Sequence, residues 1–190
     1  RRVLFRSRRD AHRLACVAGL DLLAVGLGPG SFTGLRIGCG IAQGLAYACH
    51  LPVVGIVSLL ALAEASDQDR VYACLDARMG QVFCAAYQRQ AQGWVCVVEP
   101  TLCHPADLPT VTGEGWAGIG SGFKPYEAIL RQRLGNALSS VDATPFPHAA
   151  AMATLAAKEV TAGRTLPPEQ ATLLYLRDKV ALTISEQPRK

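Results

Sequence analysis

The chain has 190 residues, half of them hydrophobic, which suffices to bury a substantial core in one domain or two small lobes. No apolar run reaches the roughly 18 residues free of breakers that a spanning helix needs, and no signal peptide is legible, so a cytoplasmic protein is expected. Of the net charge of +4, residues 1–13 carry +5 (six arginines against one aspartate), which leaves −1 for the remainder; the basic footprint of a nucleic-acid binder is missing from the body of the chain.

Residues 1–9 begin with Arg1 rather than Met and show no strand or helix period, so they read as a truncated or foreign start, or alternatively as a disordered basic arm. Residues 10–19 look like a helix end closed by Gly19. The run 22–25 (LLAV) is continuously apolar, as a parallel strand buried on both faces is. It enters a corner, Gly28, Pro29, Gly30, Ser31, Thr33 and Gly34, in which glycines free the backbone, Pro29 sets one φ, and Ser31 or Thr33 can cap the following helix. A helix N-terminus after such a loop can hold an anion, but the counted phosphate motifs fail. GxxxxGK(S/T) lacks its lysine, and the third glycine of GxGxxG is absent. Structural use of this corner is the stronger reading.

The helix expected over 34–49 carries Gly38, Gly40 and Gly44 in its interior, giving up about 3 kcal/mol of intrinsic helix preference. At 100° per residue, Leu35, Gly38, Ile41, Ala42, Leu45 and Cys49 form a stripe for the sheet. The opposite stripe is Arg36, Gly40, Gln43, Gly44, Tyr47 and His50. Gly40, Gly44 and Ala48 are spaced by four, a pattern that lets a second helix backbone come close. Such a face suits an interface better than solvent; burial between two layers of its own domain is the alternative.

Strand 52–57 follows, then a helix over 59–65 capped by Ser58, a polar group at 66–69, and a meander of strands 70–75, 81–88 and 94–98. A helical turn at 104–108, a strand at 116–119, a second glycine corner at 118–123, a helix at 126–134, a strand at 139–141 and an alanine-rich helix at 148–162 complete the order. The second half thus reads strand, strand, strand, turn, strand, helix, strand, helix, and the first half repeats its last four elements. Duplication with the first copy cut at its front explains this most simply. The cysteines, Cys16, Cys39, Cys49, Cys74, Cys84, Cys96 and Cys103, never form CxxC and read as small buried hydrophobes in a reducing compartment.

GPGSFTGLRIG at 28–38, GIAQGLA at 40–46, DARMGQV at 76–82 and YLR at 175–177 together resemble the bacterial TsaB (YeaZ) family over nearly the whole chain. The resemblance implies an α/β, actin-like fold of the sugar-kinase type, two lobes each built on a ribonuclease-H-like sheet, the first incomplete. On that reading residues 10–69 are the remainder of lobe one and 70–163 are lobe two, with 164–190 packing back on lobe one. It implies a non-catalytic partner of the TsaD transferase, which makes N6-threonylcarbamoyladenosine beside the anticodon of tRNAs reading A-starting codons. The ATPase TsaE joins the complex, tRNA is met through it, and a second copy of the chain is an alternative partner. The partner interface carried over is Arg36, Gly40, Gln43, Gly44 and Tyr47.

No metal is expected, because His12, His50, His104 and His148 are far apart and none begins the HxxxH pair of TsaD-like proteins. No nucleophile and base pair is legible either, so no catalytic residue is named. Nucleotide binding would fall to Asp76 and Gly80 in the second-lobe hairpin and to Gly118, Gly120, Ser121 and Gly122 at the corner. With the family's opening Asp-Thr or Asp-Ser strand absent, ATP or ADP is placed only at the interface of the complex, and a salt-bridged hairpin with Arg78 is the plainer role for Asp76. The rival function is an ATP-binding actin-like enzyme, a small kinase or hydrolase, using the inter-lobe cleft.

Overall fold

The computed structural model describes residues 3–4 and 20–177; the expected helix end at 10–19 and the residues after 177 lie outside the described residues. A first sheet joins β1 (Val3–Leu4), β2 (Leu22–Gly28) and β3 (Val53–Val57) in that order, all parallel. Val3 and Leu4 pair with Leu22 and Leu23, so the expectation of no strand in residues 1–9 is corrected: two apolar residues suffice to extend a ladder that β2 already presents.

The second sheet holds β4 (Arg70–Arg78), β5 (Gln81–Gln90), β6 (Gly93–Cys103), β7 (Trp116–Ile119) and β8 (Leu138–Asp142) in the order β6-β5-β4-β7-β8. The first three form an antiparallel meander and the last two add in parallel. One face (Tyr72, Cys74, Val82, Cys84) packs with Phe123, Leu130 and Leu134 of helix α3 (Phe123–Leu134). The other face (Val71, Ala73, Leu75, Ala85, Tyr87) meets Leu59, Leu62 and Ala63 of α2 (Ser58–Glu64).

Helix α1 (Phe32–Ala48) lies on the first sheet, with Ala46 packed among Leu23, Val25 and Val53. Ser31 is its cap, Oγ accepting the Gly34 N–H at 3.4 Å, while Thr33 lies inside the helix. Ser58 does not cap α2: Val57 holds that position and Ser58 is buried in the first turn.

Helix α4 (Ala149–Thr161) corrects the lobe assignment made from chain order. Its Ala151, Leu155 and Ala156 pack with Leu22, Val54 and Ile56 of the first sheet and Ala61 of α2. Thus α2, which follows a first-sheet strand, is shared between the two sheets, and α4, which follows a second-sheet strand, covers the first. At their meeting the Glu64 carboxylate, 7% exposed, takes Trp94 Nε1–H at 2.6 Å, Lys158 Nζ at 3.0 Å and Arg89 Nη1 at 3.6 Å. Removing a buried acceptor that three donors share leaves two cations and an indole N–H without their partner, so Glu64→Ala is expected to lower unfolding stability by about 3 kcal/mol. Urea titration checks it, and a loss under about 1 kcal/mol would mean that the cluster behaves as a solvated surface pair.

Beyond α4 the chain runs back as a strap. Leu166 exchanges backbone hydrogen bonds with Val53, and the Leu174 N–H donates to Leu27 O at 2.9 Å.

Candidate docking face and inter-lobe corner

The inner side of α1 is centred on Leu35, Cys39, Ala42 and Ala46, a rotation of roughly 60° from the stripe expected at 100° per residue. Ile41 and Cys49, assigned inward from the sequence, are therefore exposed. The cause lies in the strap: the Gln43 Nε2–H donates to Ala171 O at 3.0 Å and Cys39 Sγ lies 3.3 Å from the same oxygen, which turns that side of the helix inward. Gln43 is thereby half-buried and engaged within its own chain, and it leaves the outward set.

What faces out is Ile37 (53% exposed), Gly40, Ile41 (38%), Gly44, Ala48 and Tyr47 (75%). A Cβ built on Gly40 or Gly44 meets nothing within 4 Å, so no contact among the described residues demands glycine there. Ile37 and Ile41 were missed as members of this face. Their offsets from Gly44 (seven and three residues) and from each other (four) place them beside the glycine row, and that spacing was the available signal. Arg36 sits at the rim, its guanidinium 3.7 Å from the Phe32 ring centroid and its Nε–H donating to the Tyr175 hydroxyl at 3.1 Å. The outward surface is thus a low apolar strip bordered by one aromatic residue and one anchored cation.

The corner ahead of α1 is closed over its own helix. Gly28 has φ +103°, and a Cβ there would stand 2.9 Å from Leu35 Cδ1. Pro29 follows through a cis bond, Gly30 lies in ordinary contact range of Leu35, and Gly34 lies against Ser31.

The second corner brings Asp76, Ser121 and the glycines together where β4 and β7 end. Ser121 Oγ accepts the Asp76 N–H at 3.2 Å. The Gly120 N–H donates to Asp142 O at 2.9 Å and the Gly122 N–H to Cys74 O at 3.0 Å. Added Cβ atoms would lie 2.4 Å from the Phe123 ring at Gly118, 2.5 Å from Cys74 O at Gly120 and 2.5 Å from Cys74 Sγ at Gly122. These glycines admit close packing of the chain against itself, and two of the corner's amides are already committed. Asp76 accepts the Arg78 N–H at 2.9 Å and pairs with the exposed Arg78 guanidinium at 3.2 Å, an exposed pairing of small energetic weight. Gly80, φ +72°, sits in open space at the hairpin tip beside Arg78 and Met79, which also have positive φ.

Arg177 reaches this hairpin from the strap. Its Nη2 donates to Ala77 O at 2.9 Å and to Gln81 Oε1 at 3.0 Å, while its buried Nε has no protein partner. Among the described residues no group of three or more His, Cys, Asp or Glu side chains could hold a metal ion, and no helix is long and apolar enough to cross a membrane.

Residues 16–166 match the family model described as TsaD, tRNA N6-adenosine threonylcarbamoyltransferase. The chain is 37% identical over 177 residues to the tRNA threonylcarbamoyladenosine biosynthesis protein TsaB of Escherichia coli (strain K12), a span of 85% of this chain and 73% of that one. To the protein of the same description in Haemophilus influenzae it is 31% identical over 174 residues, 85% and 72% of the two chains. Among solved structures, YeaZ from Pseudomonas aeruginosa superposes with a TM-score of 0.75 at 32% identity, covering 83% of this chain and 76% of that one.

Proposed function

The chain belongs to the TsaB (YeaZ) family of tRNA threonylcarbamoyladenosine biosynthesis proteins, with the actin-like fold of the wider TsaD-type domain family, and on that premise we propose that it is a non-catalytic subunit that docks TsaD through the outward face of α1. In this reading it acts in the cytoplasm, TsaE joins the assembly, and tRNA is met through the complex rather than by this chain alone.

The observation that carries the proposal is the strip Ile37, Gly40, Ile41, Gly44, Ala48 and Tyr47, which leaves isoleucines exposed and gives up helix preference where no described residue needs a glycine. Interior glycines without a packing role among the described residues are accounted for by a second helix lying across them. That TsaD shares this domain type makes it a suitable occupant, since its equivalent helix can meet α1 in a pseudo-symmetric four-helix contact. A second copy of this chain would use the same face.

The subunit reading is supported by the corner around Asp76, where the Gly120 and Gly122 amides and Ser121 Oγ are engaged by the chain itself. The test is a calorimetric pair. The isolated chain is expected to take up TsaD with heat and saturation, and to show no binding of ATP with Mg²⁺ at micromolar concentration. Micromolar ATP affinity without TsaD would favour an ATP-dependent enzyme and overturn the proposal.

A further inference from the structure

Three free cysteines lie across neighbouring strands of the second sheet: Cys74 on β4, Cys84 on β5 and Cys103 at the end of β6. Cys74 and Cys84 are direct register partners, both fully buried on the face that α3 covers. Cys103 pairs with Val82, so it stands diagonally from Cys84, and the two Sγ atoms are 3.8 Å apart. Cys103 is half-exposed and ends the edge strand, beyond which the chain leaves the sheet. One residue of the pair is therefore partly buried at the sheet edge and the other is fully buried behind it.

We propose that Cys103 and Cys84 form a peroxide-responsive thiol pair, in which Cys103 takes the oxidant and Cys84 closes a disulfide that fastens β6 to β5. In the first step the Cys103 thiolate attacks one oxygen of a hydroperoxide. The O–O bond breaks, Cys103 becomes a sulfenic acid, and water (or an alcohol) leaves after protonation. In the second, Cys84 sulfur attacks the Cys103 sulfur, the S–O bond breaks, and the departing hydroxide takes the Cys84 proton to leave as water. Two thiols lose two electrons and two protons, and one hydroperoxide is reduced to two molecules at the oxidation level of water: two waters, or one water and one alcohol.

The surroundings divide these roles. A hydrogen bond from Cys84 holds the Cys103 thiol below its ordinary value, against the opposing influence of burial and of Asp107, while the same bond and burial push Cys84 up. Cys103, partly buried where Cys84 is fully buried, is the member of the pair that an oxidant from solvent meets first. Cys74 is pushed up by burial and lies deeper, which removes it from the first step. Closing from the observed sulfur separation to a bond of about 2.05 Å requires a shift of roughly 1.8 Å, and a diagonal pair sits near the limit of Cα separation that a disulfide can span. Cys103 is suited to supply that movement, because the last residue of an edge strand is held by one neighbour only.

The experiment treats the folded full chain with hydrogen peroxide, then alkylates under denaturing conditions and maps peptides by mass. The expected result is a loss of two hydrogens and a linked peptide joining Cys84 to Cys103, reversed by dithiothreitol. Cys103→Ser should slow peroxide-driven loss of titratable thiols at least tenfold, and Cys84→Ala should leave a sulfenic acid at Cys103 that dimedone captures. Cys103 advancing to sulfinic acid in the wild-type chain while Cys84 remains alkylatable would overturn the proposal, as would a link from Cys103 to any cysteine other than Cys84.

Discussion

Replacing Gly44 with leucine is expected to abolish TsaD binding while making the isolated protein more stable. The glycine lies inside a helix with open space above it, so the new side chain meets no described atom of its own chain. Leucine recovers about 0.8 kcal/mol of helix preference, which corresponds to a melting temperature about 1.5–3 °C higher for a chain of this size. In the complex the same side chain would stand where a helix backbone must pass close by, and at helix–helix distances of about 8–10 Å a leucine in a glycine groove forces the pair apart. The expected loss is at least about 100-fold in affinity, roughly 2.7 kcal/mol or more. Titration calorimetry against TsaD and thermal melts of the same preparation give both numbers. The opposite signs make the result diagnostic, because a misfolded variant would lose stability and binding together. Wild-type affinity in Gly44→Leu would remove α1 from the interface.

Gly120→Ala should act on the other property, costing about 3–5 kcal/mol of unfolding free energy. A residue at φ +113° is strained for any L side chain, and here the new methyl would lie 2.5 Å from Cys74 O and 3.1 Å from Leu62 Cδ1. The first obstacle is backbone in the central strand of the second sheet, and it cannot swing aside as a side chain can. The second belongs to α2, so the methyl would press on the helix shared by both lobes. Gly80→Ala is the internal control: it too has positive φ, but with open space around it, so a cost near 1 kcal/mol is expected. Urea unfolding of both variants separates a packed corner from an open loop. Equal costs would show that conformational strain alone, and not close packing, requires glycine at position 120.

The element order was readable because strands and turns carried their own punctuation. Strand β7 begins and ends where WAGI does, between Gly115 and the corner, and the meander was marked by Gly80 and Gly93 at its two turns. Strand β6 runs five residues past the expected end because Pro100 reads as a terminator. On an edge strand, beside a register shift opposite Ala85, a missing N–H costs little. That α2 serves both sheets and α4 the first was hidden for a different reason: an amphipathic pattern says that a helix is covered, not by which sheet. The tilt of α1 escaped similarly, since the polar Gln43 looks outward by composition and is drawn inward by one carbonyl more than a hundred residues away in sequence. The proposed docking surface is legible only as a misfit, and Gly40 and Gly44 were misfits from the start, whereas Ile41 was assigned to the sheet-facing stripe and Ile37 to neither stripe.

The strap gives the partner face a mechanical correlate. Within four residues it touches Leu27 at the end of β2 through Leu174, Arg36 on α1 through Tyr175, and the β4–β5 hairpin through Arg177. An extended stretch of that length has almost no slack, spanning at most about 14 Å. Any separation of the lobes that draws Ala77 away from Arg177 must pull on Tyr175 and so on the rim of the docking face, or break the guanidinium contacts outright. Clamping α1 from outside restrains the hairpin by the same path in reverse. If α1 carries the proposed interface, lobe separation and partner affinity would be linked through this strap, each able to report on the other.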